Sequence, residues 1–381
     1  MKMEYKRLGD IATYINGYAF KPSDWSDSGL PIIRIQDLTG TSYQTNKYNG
    51  KYDSKYEINN GDILISWSAS LGIYEWTGTT ALLNQHIFKV VFDKAVVDKD
   101  FFVHQVSGIL KKATSEAHGA TMKHLTKPVF DALTFYLPSI EKQKEISTVL
   151  NNVSEIISNR KQQLQKLDEL VKARFVEMFG DPVENPMGWP TKHLQELVTD
   201  DCTISYGIVQ TGDDQEYGIP VFRPVDIVNH IPIRAELKKT TEEISNKYKR
   251  TILKGREMLI TVRANIADTY IVGEEFAGCN VGRGIVPIRT KENEMILEFL
   301  KYQIDSKHLN DNIKALAKGI TLIQLNMEDL REVMLTVPPI EQQKNFVKFA
   351  KQVDKSKFVC LTSVAIYNKL FHNHNFTGVI L

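Results

Sequence analysis

The 381-residue chain predicts an α+β molecule built as a tandem repeat: two mixed α/β globular domains, and two long antiparallel helices that form an intramolecular coiled coil. Three observations predict it. From Leu137 to Phe179 apolar side chains fall at alternating spacings of three and four residues, as a coiled-coil seam requires, at Ile146, Leu150, Val153, Ile157, Leu164, Leu167, Val171 and Met178. The segment opening that stretch, Leu137-Pro-Ser-Ile-Glu-Lys-Gln-Lys144, returns 200 residues later as Val337-Pro-Pro-Ile-Glu-Gln-Gln-Lys344. Ahead of each copy lie short β-branched and aromatic runs bounded by Gly, Pro and Asn, the pattern of strands and turns.

The repeat extends upstream. Gly119-Ala-Thr121 aligns with Gly319-Ile-Thr321, and Leu125 with Leu325, at the same offset. Further back the offset drifts, but Gly29-Leu-Pro-Ile-Ile-Arg-Ile-Gln-Asp37 still echoes Gly218-Ile-Pro-Val-Phe-Arg-Pro-Val-Asp226. Gly61-Asp-Ile-Leu-Ile-Ser66 likewise echoes Gly255-Arg-Glu-Met-Leu-Ile-Thr261, with one inserted residue. Taken in order, residues 1–138 form a first globular domain, with strands expected at Ile32 to Ile35, Asp62 to Ser66 and His86 to Phe92 and a helix from Asp98 to Ala113. Residues 139–180 form the first long helix, a rod of roughly 60 Å at about 1.5 Å per residue. Three prolines and a glycine in 181–190 end it and return the chain to a second globular domain, 191–338. A second long helix follows over 339–373, with a tail at 374–381.

The second seam places Phe346, Ala350, Val353, Cys360, Val364, Tyr367 and Phe371 where the first has Ile146, Leu150, Val153, Arg160, Leu164, Leu167 and Val171. Arg160 and Arg174 interrupt the first seam, and Lys357 interrupts the second opposite Ile157. Such unequal interruptions suit pairing between the two different helices better than self-pairing of either, with the arginines fixing register or contacting other subunits. A two-fold relation between the copies then makes the helices antiparallel and sets the globular parts at opposite ends.

Composition narrows the function classes. A net charge of +1 gives no basic excess, so any nucleic-acid role must rest on local residues. No stretch approaches the ~20 apolar residues of a membrane span and the start has no signal-peptide core, so the expected setting is cytoplasmic with no membrane partner. Cys202, Cys279 and Cys360 lie far apart and suggest neither zinc nor a disulfide framework. The chain has no P-loop, no GxGxxG after a strand, no HExxH and no GxSxG. Asn185-Pro-Met-Gly188 lacks the second proline and the aromatic ring of an amino-methyltransferase motif. No catalytic residue, metal site or cofactor is therefore expected.

The twice-occurring [LV]-P-x-I-E-x-Q-K helix opening, the Gly-Asp-Ile-Leu-Ile-Ser strand and the Phe-Gly-Asp-Pro…Asn-Pro-Met-Gly-Trp-Pro passage together resemble the DNA specificity subunit of Type I restriction-modification systems, over essentially the whole chain. The resemblance implies two target recognition domains, each reading one half of a split site in double-stranded DNA. It also implies that the helices hold the halves apart and bind two modification subunits. Those partners carry S-adenosylmethionine and methylate adenine, and restriction (motor-nuclease) subunits bring ATP and Mg. The other class to weigh is a coiled-coil protein-interaction scaffold without DNA specificity.

Candidate DNA contacts follow from what base edges need: Arg for guanine, Asn or Gln for adenine, Ser or Thr for either. Arg34 and Arg223 are equivalent in the two copies and beside Asp37 and Asp226, which suits a shared phosphate contact or an ion pair. The divergent loops after the central strand, Ser66-Trp-Ser-Ala-Ser70 and Thr261-Val-Arg-Ala-Asn265, offer Ser66, Ser68, Arg263 and Asn265, while Trp67 is expected to pack. The loops at Asn84 and Asn280 share their asparagine as a turn former and offer Gln85, His86 and Arg283. The third pair offers Lys123, His124 and Gln324, with Thr321 in a shared turn or phosphate-binding backbone. The loop from Tyr43 to Tyr56, with Lys47, Lys51 and Lys55, either lines a duplex backbone or is simply solvated.

Overall fold

The computed structural model describes residues 4–116, 125–201, 203–228, 231–319 and 323–374. They fall into two compact units, one made of residues up to Gln162 together with the chain from Cys360, the other of Gln163–Val359. Lys123, His124 and Thr321 lie outside the described residues.

In the first unit an antiparallel sheet runs in the order Thr13–Asn16, Ile87–Val91, Ile63–Ser66, Gly72–Glu75. A second sheet runs Lys47–Tyr48, Leu30–Ile33, Ala81–Leu83, Glu57–Ile58, and its central pair is parallel. Phe88 from the first sheet, Phe102 from the helix Lys99–Glu116, and Phe130 and Phe135 fill the core against Tyr14. The expected strand to Ile35 stops at Ile33 because Arg34 caps the short helix Ile35–Thr39, where the Asp37 carboxylate accepts the Arg34 backbone N–H at 2.8 Å. This satisfies a helix-end donor that the sheet cannot.

The second unit repeats the plan with shorter strands. Thr269–Ile271, Met258–Thr261 and Ile285–Ile288 form one antiparallel sheet, and Lys239–Thr240, Ile219–Phe222 and Asn280–Val281 another with a parallel pair. Asp226 accepts the Arg223 backbone N–H at 2.7 Å at the start of the helix Pro224–Ile227, so the shared Arg and Asp letters mark a repeated cap. The counterpart of Lys99–Glu116 is the helix Leu297–Ile304, and a second helix, Lys307–Ala315, follows it.

The long helices run Ile140–Phe179 and Ile340–His374. They pack together antiparallel: Phe175 and Phe179 meet Phe346 edge-on in the second unit at centroid distances of 5.4 and 5.7 Å, and Asp168 pairs with Lys357 at 2.6 Å. In the first unit the Arg160 guanidinium meets the Cys360 sulfur at 4.0 Å, so this interruption does sit in the seam. Arg174 does not. Phe175 takes the buried position and Arg174 lies beside it, bonded to Glu177 at 2.8 Å, because the aromatic cluster of Phe175, Phe179, Phe299 and Phe346 rotates this turn by one residue.

The repeated helix opening has a structural reason that its letters conceal. Gln143 is buried, accepts the Asp98 backbone N–H at 2.8 Å and donates to the Pro138 carbonyl at 2.8 Å. Gln343 does the same 200 residues on, accepting from Ile296 N at 3.0 Å and donating to the Glu294 and Pro338 carbonyls. Each glutamine thus ties the start of a long helix to the start of its unit's packed helix. Gln105 and Gln303 make a second matched pair, each gripping both backbone groups of one strand residue, Tyr136 and Thr336.

Candidate nucleic-acid interface

The central strand of each unit, Ile63–Ser66 and Met258–Thr261, delivers a five-residue loop of one geometry. Ser66 Oγ donates to the Ser70 carbonyl and Thr261 Oγ1 to the Asn265 carbonyl, closing each loop on its own strand. The fourth residue is left-handed in both, Ala69 at φ 59° and Ala264 at φ 62°. Ser66 is fully buried and Ser68 only 5% exposed, so the expectation that they touch DNA is corrected: Ser66 braces the loop and Ser68 lies beneath the surface. Trp67 packs as expected, against Phe88 at 5.6 Å and the His86 ring at 4.9 Å, while its indole N–H reaches Asn16 Oδ1 at 3.1 Å.

Strand register realigns the next loop. Ile33 pairs with Leu83, and its counterpart Phe222 pairs with Val281; Ser66 faces Ile87 as Thr261 faces Ile285. Asn84 therefore matches Gly282, Gln85 matches Arg283 and His86 matches Gly284, whereas Asn280 matches Leu82. The expectation of a shared turn-forming asparagine is corrected. Asn280 is fully buried, accepts from Thr251 Oγ1 at 2.7 Å and donates to Ser245 Oγ at 3.0 Å. Gly284 is required by packing, since a Cβ there would stand 2.6 Å from Pro224 Cγ. His86 occupies the matching position with φ at 73°, an uncommon backbone state for a residue with a Cβ.

The two shared arginines are both tied to their caps. Arg223 grips Asp226 with Nε at 3.0 Å and Nη2 at 2.8 Å, and this pairing raises its pKa. Arg34 stands 3.8 Å from Asp37, donates to the Gln44 carbonyl at 2.9 Å and lies 5.8 Å over the Trp25 ring. The ion-pair reading of these residues is the one the geometry presents, and the exposed side of Arg223 leaves it facing solvent as well.

Arg263, Asn265, Arg283 and Gln324 come together at one end of the second unit, on or beside the loops described above. Arg263 donates through Nε at 2.7 Å, and through Nη2, to Gln324 Oε1, and Gln324 Nε2 donates to Tyr206 Oη. Burial and the neighbouring Arg283 charge hold the Arg263 pKa below its ordinary value. Neither arginine meets a carboxylate among the described residues, and Arg283 and Asn265 are exposed. Two uncompensated guanidinium groups on adjacent loops are arranged for an acceptor-rich or anionic ligand. Sequence reasoning missed Tyr206 and its first-unit counterpart Asn16, since single polar residues before a glycine carry no periodic signal. A cavity of about 290 Å³ elsewhere in the second unit is lined by Asp268, Asp305, Thr269 and Asn310, and burial raises the Asp268 pKa; its acidic lining suits no phosphate. Among the described residues no cluster of His, Cys, Asp and Glu could hold a metal, and no helix is long and apolar enough to cross a membrane.

The model of one family, the Type I restriction modification DNA specificity domain, matches residues 1–169 and 188–370. The Type I restriction enzyme EcoBI specificity subunit of Escherichia coli is 25% identical over 401 residues, covering 98% of this chain and 83% of that protein. A putative type I restriction enzyme MjaX specificity subunit of Methanocaldococcus jannaschii is 22% identical over 392 residues, covering 92% and 86%. Among solved structures, a chain from work on complex assembly and conformational transition of the type I R-M system superposes with a TM-score of 0.58 at 18% identity, over 99% of both chains. The Type-I restriction-modification S subunit from M. genitalium gives 0.55 at 11% identity, over 98% and 95%. At these identities the solved structures support the fold.

Proposed function

The chain belongs to the Type I restriction modification DNA specificity domain family, and from that premise we propose that it reads an asymmetric two-part site in double-stranded DNA, one half with each globular unit. The observation that carries the reading is the contrast at equivalent loop positions: one backbone frame presents Gln85 and a buried Ser68 in the first unit, and Arg283 and Arg263 in the second. Shared frame with divergent donors is what two modules reading different sequences need. Gln85, His86 and Asn16 would face one half-site in the major groove, and Arg263, Arg283 and Asn265 the other. Lys123, His124 and Thr321 remain in the proposal on sequence grounds alone.

The reading assigns this chain no catalytic step and no cofactor. It acts in the cytoplasm by directing two modification subunits, which carry S-adenosylmethionine and methylate adenine, and restriction subunits, which carry ATP and Mg. Exposed apolar side chains on the long helices, Val149, Leu170 and Val176 on the first and Phe358, Val359 and Leu361 on the second, support recruitment of protein partners. The same residues favour the scaffold reading, in which the globular units bind proteins and not DNA. Methylation mapping in a host carrying this chain and a cognate modification subunit separates the two. The expected result is a split, non-palindromic motif that depends on this chain. A continuous palindrome, or methylation indifferent to the chain, would sink the proposal.

A further inference from the structure

We infer that Tyr206 is a positioning residue for specificity: through Gln324 it holds Arg263 so that the guanidinium's outer edge reads a guanine in the half-site of the second unit. This rests on the DNA reading above and goes beyond it by naming a residue, a relay and a base. Arg263 leaves the end of the strand Met258–Thr261, in a loop braced by Thr261 and bridged in the main chain to Gln324. A guanidinium has five N–H donors. Nε–H and one Nη2 proton go to Gln324 Oε1, while Nη1 and the other Nη2 proton carry no hydrogen bond among the described residues. Those remaining donors form a parallel pair, which matches the N7 and O6 acceptors of guanine; adenine sets an amino donor where O6 would be.

Gln324 was expected to touch DNA itself, but its carbonyl is committed to Arg263 and one amide proton to Tyr206 Oη at 2.5 Å. It serves as a buttress. The Tyr206 hydroxyl fixes which way that amide faces, because accepting from Nε2 forces Oε1 toward the guanidinium. Without the hydroxyl the amide can turn over and set its own N–H groups against Arg263, and the guanidinium loses its aim. A phosphate would also fit the fork. Phosphate contacts, however, belong to the frame common to both copies. This relay is private to one: Ser68 replaces Arg263 and Asn16 replaces Tyr206 in the first unit, where Asn16 instead accepts from Trp67.

The test is selection from duplex libraries randomised across the site, using the full chain assembled with its modification subunits. Wild type should select guanine at one position of the half-site whose preference Arg263→Ala alters. Arg263→Ala should lose about tenfold or more in discrimination there, and Tyr206→Phe roughly three- to tenfold, with other positions and the thermal midpoint unchanged. Gln324→Glu in the Tyr206→Phe background should restore the preference, since a carboxylate faces the guanidinium by charge in either orientation. An unchanged preference in Tyr206→Phe overturns the relay. So does a loss of affinity uniform over all sequences, which would mark a phosphate contact, or a second-unit half-site without guanine. A wild-type complex that selects no sequence overturns the DNA reading as well.

Discussion

Gln143 and Gln343 show how single side chains hold each unit to its helix. Each carries three or more polar groups out of water: its own amide, a helix-end backbone N–H and a carbonyl of the preceding Pro segment. Replacing Gln343 by Ala leaves Ile296 N and the Glu294 and Pro338 carbonyls unpaired in a buried site, at a cost of about 1–3 kcal/mol. Urea unfolding should show a lower midpoint at unchanged slope, and a midpoint within error of wild type would refute the clamp. Tyr302 makes a pH-dependent counterpart. Its ring meets Phe346 edge-on at 5.0 Å, and burial first, then the nearby Asp354 and Asp305 charges, push its hydroxyl up to about 12 from 10. A phenol whose folded pKa is raised contributes its stability fully below the unfolded value and loses it as pH climbs toward the folded one. Thermal midpoints should therefore fall between about pH 10 and 12, and Tyr302→Phe should flatten that decline relative to wild type.

The long helices show which structural levels are legible in the letters and which are not. Their existence, extent and mutual pairing follow from the three-and-four spacing and the repeat, because a helix buries a stripe whatever its partner. The turn at Arg174 does not follow. From Val171 the next seam residue is three or four on, and only Phe346 of the second long helix and Phe299 of the helix Leu297–Ile304 decide for Phe175. Phe175→Ala should thus cost about 3–5 kcal/mol in unfolding free energy. Arg174→Ala should cost under about 1 kcal/mol, because its pair with Glu177 is exposed at 42% and 66% of the two side chains. A larger loss for Arg174 than for Phe175 would reverse that assignment. At the loops the limit is register. Two more residues separate Asn280 from Ile285 than Asn84 from Ile87, so matching asparagines mislead and strand pairing alone equates Gln85 with Arg283. Tyr206 was illegible for a related reason: its role comes from Gln324, which lies 118 residues away and is brought alongside only by the fold.

At the scale of the whole chain, 47 basic and 46 acidic residues leave a net charge of +1, so the overall charge supplies little attraction to DNA. On the proposed reading discrimination comes from short-range contacts divided between two units with separate cores: Phe88, Phe102, Phe130 and Phe135 anchor one, Phe175, Phe179, Phe299 and Phe346 the other. Gln85 and Arg283 occupy the same frame position in different units and share no hydrogen-bond partner among the described residues. Substitutions at residues without shared contacts add within about 0.3–0.5 kcal/mol, whereas residues in one network couple by more. Gln85→Ala and Arg283→Ala should accordingly each relax one half-site only, and in the double variant the two binding penalties should sum within that margin. Arg263→Ala and Gln324→Ala, which break one bonded pair, should fall well short of additive. Competition binding with duplexes carrying one altered half-site measures all four values under one salt condition. Coupling between Gln85 and Arg283 as large as that between Arg263 and Gln324 would mean that the two halves are not read independently, and that the duplicated frame works as a single reader.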